Sequence, residues 1–164
     1  MTRLERIRAE EARPYLDRLI AGYAADHVRN GRWSPEEAPA EARKEVERLL
    51  PAGVDTPNHL LFRILAGEPE TYVGELWIAL EPRGAFVYDL EVAEPFRRRG
   101  SAEAAMRLAE EIAVGRGARK ILLHVFGDNA GARRLYARLG YAETNVLMAK
   151  PLDGAARVPR DARA

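Results

Sequence analysis

The chain has 164 residues, of which 47% are hydrophobic and 31% are charged, and its formal net charge is +1. This length predicts a single domain with a real core, over residues 1–152, and the near-zero charge argues against a broad basic surface for nucleic acid. The absence of cysteine excludes disulfides, thiolate metal sites and a cysteine nucleophile, and it agrees with a cytoplasmic location.

The N-terminal third predicts a short strand and two amphipathic helices. Residues 2–9 alternate loosely between apolar and polar side chains, and apolar residues then recur at helical spacing over 10–30. Ser34 and Glu37 form a capping-box pattern ahead of a second helix, which we expect to start near Ala40 and to end at Leu50.

Three apolar segments separated by short turns follow these helices. They are typical of strands in an antiparallel meander, and Gly74 marks a candidate β-bulge in the second of them. Their expected bounds are 59–66, 71–80 and 85–92.

The pattern then becomes strand, helix, strand, helix, strand. The expected elements after the meander are a helix over 102–115, a buried strand over 121–126, a helix over 132–139 capped by Asn129, and a last strand over 141–150. Residues 153–164 lack periodicity, so we expect a frayed tail. The order predicts an α/β fold of the mixed α+β kind, in which an antiparallel N-terminal meander is followed by a parallel strand-helix-strand unit.

The turn between the third meander strand and the next helix reads Arg97-Arg98-Arg99-Gly100-Ser101-Ala102. Free backbone N–H groups and the positive end of the helix dipole make such a turn an anion site, and arginine side chains suit phosphates. The alternative is a solvated basic loop in which glycine supplies an unusual backbone angle. Taken alone, the six residues fit both interpretations.

Two motifs resemble those of the GCN5-related N-acetyltransferase (GNAT) superfamily. The first is Arg97-x-x-Gly100-x-Ala102, in which alanine stands where glycine is commoner. The second is Asn129-x-x-Ala132-x-x-Leu135-Tyr136-x-x-x-Gly140-Tyr141. The resemblance covers 88–152 and implies the GNAT acyl-CoA N-acyltransferase fold.

The resemblance implies acetyl-CoA as cosubstrate, and the three scattered histidines predict no metal site. Backbone N–H groups in the first motif would hold the pyrophosphate, and the main chain near Leu90 and Val92 would pair with the pantetheine arm as an added strand. The implied cofactor-binding residues are Leu90, Val92, Arg97, Arg98, Arg99, Gly100, Ser101, Ala102, Asn129, Ala132 and Tyr136. For Asn129, capping the helix is an alternative to binding pantetheine.

Two residues are candidates for proton transfer. The resemblance implies that Tyr136 donates a proton to the leaving thiolate of CoA; its alternative role is packing in an apolar stripe. His124 interrupts an apolar strand, and an imidazole near pKa ~6.5 suits a base for the acceptor amine. The sequence around His124 also resembles protein N-terminal acetyltransferases, while a hydrogen-bonded core histidine is the alternative.

The acceptor side carries no signature of its own. Glu75, Tyr88, Asp89 and Glu91 are candidate substrate-binding residues. The alternative is pairing with surface arginines for Asp89 and Glu91, and solvated charge for Glu75. Strict alternation along 85–92 puts Tyr88 on one face and Asp89 with Glu91 on the other, unless a bulge shifts the register.

The expected function is acetyl transfer from acetyl-CoA to a primary amine by direct attack, with a small-molecule amine favoured. Acetylation of a protein N-terminus and non-catalytic sensing of acyl-CoA are the alternatives. We expect neither a nucleic-acid partner nor a membrane partner, since no apolar run approaches the roughly 20 residues of a membrane span. Assembly into a homodimer is left as an open alternative.

Overall fold

The computed structural model describes residues 1–82, 84–150 and 152, which belong to two units, Met1–His124 and the chain from Val125 onward. The strands of the first unit are β1 (Thr2–Arg6), β2 (His59–Ala66), β3 (Thr71–Glu81), β4 (Gly84–Val92) and β5 (Ile121–Leu123). Its helices are α1 (Ala12–Arg29), α2 (Ala38–Leu49) and α3 (Ser101–Gly115), and the second unit contains α4 (Ala130–Arg138). In the described residues, no helix combines the length and the hydropathy that crossing a bilayer requires.

The five strands form one mixed sheet in the order β1-β2-β3-β4-β5. The first four strands are antiparallel to their neighbours, and β5 is parallel to β4. The parallel pairing follows from α3, because a helix between two strands carries the chain back to the starting end of the sheet. The predicted fold class is confirmed.

Helices cover both faces of the sheet. On one face, α1 and α2 pack over β2 and β3 in a buried cluster that includes Tyr15, Val46, Leu61 and Trp77. On the other face lies α3, whose Ala105, Met106, Ala109 and Ala113 are all buried. Since alanine is small, α3 can approach the strands closely on that side.

The predicted capping box is present ahead of α2. The Ser34 hydroxyl accepts a hydrogen bond from the Glu37 N–H at 3.3 Å, and the Glu37 carboxylate accepts one from the Ser34 N–H at 3.3 Å. The helix begins at Ala38, two residues before the predicted start. Pro39 is tolerated because the N–H groups of a first helical turn have no intrahelical partner to lose.

Two of the predicted strands are wrong in extent. The strand expected over 121–126 contains only Ile121–Leu123, which are half-buried. The strand expected over 141–150 has no regular secondary structure, and Leu147 and Met148 are 97% and 86% exposed. An apolar alternation forms a strand only when a neighbouring strand accepts its hydrogen bonds, and none of the described strands pairs with this segment.

The prediction of a tail over 153–164 lies outside the described residues. The prediction of a single domain over 1–152 stays a prediction.

Gly74 lies where β3 and β4 approach each other closely, next to a register shift between β2 and β3. A Cβ atom on Gly74 would lie 2.0 Å from the Glu91 carbonyl oxygen, which is main chain and cannot move aside alone. We expect Gly74→Ala to lower the free energy of unfolding in urea by about 3 kcal/mol or more. Gly22→Ala is the control, because nothing lies within 4 Å of that Cβ and alanine favours the α1 helix by about 1 kcal/mol. Equal stability changes in the two variants would contradict the account.

Candidate active site

The turn ahead of α3 has the backbone of an anion cradle. Gly100, the N-cap of α3, has φ 84° and ψ −4°, and Arg98 also has a positive φ of 62°. Left-handed residues alternating with ordinary ones turn successive N–H groups toward one side. Gly100 has no side chain, so no cap bond occupies the N–H groups of the first helical turn.

The three arginines of this turn differ in role. The Arg97 Nε donates a hydrogen bond to the Val92 carbonyl at 2.8 Å, and its guanidinium lies 3.9 Å from the Glu91 carboxylate. Through this hydrogen bond, Arg97 connects the turn to the end of β4. Arg98 and Arg99 are exposed, and within the described residues neither has an ion-pair partner, so both are available to an anion.

The neighbouring strand has an open edge beside this turn. Strand β5 pairs with β4 only over Ala85–Val87, so the rest of β4, from Tyr88 to Val92, has no described strand on that side. The register pairs Leu90 with Leu76 and Val92 with Gly74 on β3. A strand edge that no described strand pairs with suits an extended ligand that binds as an added strand.

A bulge in β4 decides which side chains reach the face covered by α1 and α2. Trp77 pairs with Asp89 and Ile78 pairs with Val87, which leaves Tyr88 as the extra residue. Tyr88 stacks on Trp77 at 4.6 Å between ring centroids, and Asp89 contacts Tyr15 of α1. The bulge that the sequence left open is therefore present, and the extra residue puts Tyr88 and Asp89 on the same face.

The Asp89 carboxyl on this face has an altered acidity. The Tyr15 hydroxyl donates a hydrogen bond to Asp89 Oδ2 at 3.0 Å. Burial raises the pKa of Asp89 to about 7, with Glu91 and Glu75 adding to the rise, while the bond from Tyr15 opposes it. Burial also raises the pKa of Tyr15 well above its usual value, so Tyr15 stays a neutral donor.

The other two acidic candidates have cations close by. Glu75 is 4% exposed, and its carboxylate accepts hydrogen bonds from the side chains of Arg18 and Tyr72. Glu91 is exposed and faces Arg97. Ion pairing is therefore observed for both residues. It was the alternative for Glu91, whereas solvated charge, the alternative for Glu75, is wrong because that residue is buried.

Aromatic rings connect His124 to the same face. Its ring contacts Phe86 edge-on at 5.3 Å, and Phe86 contacts Tyr88 at 4.8 Å. His124 follows β5 and is exposed, so a buried strand position for it is wrong. The alternative of a core histidine is excluded for the same reason.

Tyr88 and Trp77 are held by polar partners at the edges of this aromatic group. The Tyr88 hydroxyl donates a hydrogen bond to Glu81 at 2.8 Å, and burial raises the pKa of Tyr88 to about 12. Trp77 Nε1 donates to His59 Nδ1 at 3.0 Å. Burial lowers the pKa of His59, which suits a neutral ring accepting that bond.

The second unit contains the other motif on α4. Asn129 Oδ1 accepts a hydrogen bond from the Ala132 N–H at 3.0 Å, so the predicted cap is confirmed. Tyr136 is half-buried and its ring lies 5.6 Å from that of Tyr141. Gly140, with φ 91°, follows the end of the helix, as predicted.

Comparison with known proteins decides the family. The model of the Acetyltransferase (GNAT) family matches residues 24–141, which is more than half of the chain. The chain belongs to the GNAT acetyltransferase family. This assignment confirms the resemblance carried by the two motifs.

Two curated N-acetyltransferases are similar to this chain over almost their whole length. An uncharacterized N-acetyltransferase of Bacillus subtilis (strain 168), YycN, is 39% identical over 150 residues, which are 89% of this chain and 96% of YycN. Another from the same organism, YdgE, is 33% identical over 91% of this chain and 97% of YdgE. The crystal structure of YycN matches with a TM-score of 0.86 at 38% identity, covering 93% of this chain and 99% of YycN.

Some features of this GNAT chain had no signal in the sequence. Tyr15 contacts Asp89 across 74 residues, and no local pattern connects them. A cavity of about 380 Å³ lies between the β3–β4 turn and residues 116–120, and none of the predicted site residues lines it. Among the residues that the structure describes, no three His, Asp or Glu side chains are grouped as metal ligands.

Proposed function

We propose that this GNAT acetyltransferase transfers an acetyl group from acetyl-CoA to a primary amine, and that the amine belongs to a small molecule. The observation that carries the proposal is the open cradle at Arg98 and Gly100 beside the unpaired edge of β4. These two features suit the two parts of one ligand, a pyrophosphate and an extended amide-containing arm.

The residues of the first unit fit acetyl-CoA, which supplies an activated acetyl thioester. N–H groups from Arg98 to Ala102 would bind the pyrophosphate, and the free guanidinium groups of Arg98 and Arg99 would add charge-assisted contacts. Main-chain groups near Leu90 and Val92 would bind the pantetheine arm. A backbone N–H near Val92 would polarise the thioester carbonyl.

Proton transfer has two parts in this proposal. Tyr136, in the second motif, would donate a proton to the sulfur that leaves, since a phenol with pKa near ~10 can protonate a thiolate. The acceptor amine must lose a proton before it attacks. His124 or a water molecule is the base that the motifs alone suggest.

The sheet face that carries Tyr88 and Asp89 is covered by helices, and this cover supports a small acceptor. Helices α1 and α2 pack over this face, and Tyr88 lies against their core. Acetylation of a protein N-terminus is the second candidate. It is supported by His124 at the end of β5, and an α-amino group, with pKa ~7.7–8.0, needs less help to lose its proton than an alkyl amine.

Thiol release from acetyl-CoA tests the proposal. The purified chain should release CoA faster when an amine is present, and the panel should contain polyamines, amino-acid amides, an aminoglycoside and a tripeptide with a free N-terminus. Small amines should give the larger rates. Binding of acetyl-CoA without release on any amine would instead support a sensor, and absence of binding would contradict the cradle.

A further inference from the structure

The cavity at the C-terminal end of α3 lies apart from the candidate active site. Its volume of about 380 Å³ falls within the range of about 300–1,000 Å³ that is usual for small-molecule sites. It is lined by residues 80–82 and 84 of the β3–β4 turn and by residues 116–120, all in the first unit. Helix α3 has 15 residues and is therefore about 22 Å long, so the cavity and the cradle at Gly100 lie at opposite ends of it.

The lining of this cavity is positively charged. It contains three cations, Arg116, Arg119 and Lys120, and one carboxylate, Glu81. The cations are exposed, and within the described residues none of them has an ion-pair or side-chain hydrogen-bond partner. The Glu81 carboxylate already accepts a hydrogen bond from the Tyr88 hydroxyl at 2.8 Å. The cavity therefore has an unbalanced positive charge facing solvent.

Another cation lies near the same end of the sheet. Burial lowers the pKa of Arg6, at the end of β1, and the charge of Arg116 lowers it further, while Asp55 opposes the change. Arg116 is thus close enough to Arg6 for the two like charges to repel each other. An anion in the cavity would reduce this repulsion.

Cations that follow a helix can also serve to complement the negative end of its dipole. In α3, however, main-chain groups already satisfy the last carbonyls. The Gly117 N–H donates to the Val114 carbonyl and the Ala118 N–H donates to the Ala113 carbonyl, both at 2.9 Å. The cationic side chains are not needed as caps, so they are available to a ligand.

The start of β4 holds the main chain and the stem of Lys120 in place. The Ala85 N–H donates a hydrogen bond to the Lys120 carbonyl at 2.9 Å. A Cβ atom on Gly84 would lie 2.8 Å from Lys120 Cγ, so the aliphatic stem lies directly against Gly84. A stem that is already held loses less conformational entropy when its ammonium group binds a ligand.

We propose that this cavity binds a small organic polyanion, a molecule whose charged groups are carboxylates or phosphates. The guanidinium groups of Arg116 and Arg119 suit the planar, paired oxygens of such groups, and Lys120 adds a compact charge. The side chains of Leu80 and Pro82 would contact the carbon skeleton. This site is independent of acetyl transfer.

Citrate and glycerol 3-phosphate are the probes, one for each kind of charged group. Each is titrated into the nitrogen-15-labelled chain at an ionic strength of about 0.1 M, where long-range attraction is screened beyond ~10 Å. The amide signals of residues 116–120 should shift along a saturating curve with at least one probe. Saturation by one probe alone shows which charged group the site prefers. Absence of saturable shifts at 116–120 with both probes would overturn the proposal.

Neutral variants test whether the lining cations bind the probe. Arg119→Gln and Lys120→Gln should each weaken binding by about fivefold, because each loses one exposed charge contact. Arg43→Gln is the matched control, since Arg43 is an exposed arginine of α2 that does not line the cavity. Its affinity should stay within about twofold of wild type. Equal weakening in all three variants would mean a response to net charge alone, which contradicts a built site.

A pair of substitutions at Gly117 separates charge from shape. Gly117 lines the cavity, and a Cβ there has nothing within 4 Å, so a short side chain fits. Gly117→Asp should weaken probe binding by about tenfold or more through repulsion, whereas Gly117→Asn, of nearly the same shape, should weaken it by less than about threefold. Equal affinities in the two variants would overturn the proposal.

Gly100→Asp shows whether the two ends of α3 bind separately. The new carboxylate lies at the N-cap of α3, so the shifts at 116–120 should saturate as in wild type. Loss of those shifts in Gly100→Asp would place the probe in the cradle and overturn the proposal. Saturable binding at 116–120 without CoA release on any amine would remove the proposed function alone and leave this inference standing.

Discussion

Replacing Tyr136 with phenylalanine should lower kcat for thiol release by about 10²-fold or more. The variant loses the hydroxyl that would protonate the departing sulfur, while the ring that packs near Tyr141 remains. Because the interaction belongs to the transition state, KM for acetyl-CoA should change little. Single-turnover rates are the proper measurement, since slow product release would hide a loss in the chemical step.

Tyr141→Phe is the matched control for this experiment. Tyr141 lies in the same unit, is also half-buried and has its ring 5.6 Å from that of Tyr136. Removing its hydroxyl should leave the single-turnover rate within about twofold of wild type, because it has no proposed role in proton transfer. Full single-turnover activity in Tyr136→Phe would show that another group, or water, protonates the thiolate.

Replacing Gly100 with aspartate should weaken acetyl-CoA binding by about tenfold or more, which is about 1.4 kcal/mol. The new carboxylate would stand at the N-cap of α3, among the N–H groups proposed to hold the pyrophosphate. Repulsion between the two anions opposes binding. Isothermal titration with acetyl-CoA measures the loss of affinity. This loss should be smaller at high salt, because salt screens exposed charges.

Gly117→Asp is a close control because the two glycines have nearly the same positive φ. Gly100 has φ 84° and Gly117 has φ 85°, and a Cβ on either has nothing within 4 Å. Both variants should lose about 1 kcal/mol of stability through the left-handed backbone. Gly117 follows the opposite end of α3, so the Gly117→Asp variant should bind acetyl-CoA as tightly as wild type. Equal weakening in both variants would mean that the cradle is not the binding site.

Local patterns in the sequence predicted most elements of this fold. Helical spacing located α1 and α2, and β2 has the predicted bounds because short turns interrupt the apolar runs on both sides. The cap at Asn129 was visible because asparagine is a preferred residue at the N-cap of a helix. These signals lie within a few residues of one another, so one chain suffices to recognise them.

The rest depended on pairing between distant segments. The bulge at Tyr88 arises from the register between β3 and β4, and alternation along one strand cannot reveal it. The same holds for the short β5, since its length is set by how far β4 pairs with it. Tyr15 and Asp89 meet only because α1 packs over that face, which is why the altered acidity of Asp89 had no signal in the sequence.

Acetylation of a primary amine by this GNAT chain can be detected directly in the product. Each amine of the panel is incubated with acetyl-CoA and the purified chain, and the acceptor is examined by mass spectrometry. We expect an acceptor that is heavier by one acetyl group, with the modification on nitrogen, and far less of this product with Tyr136→Phe. Acetyl-CoA that binds tightly while every acceptor keeps its original mass would contradict the proposed function.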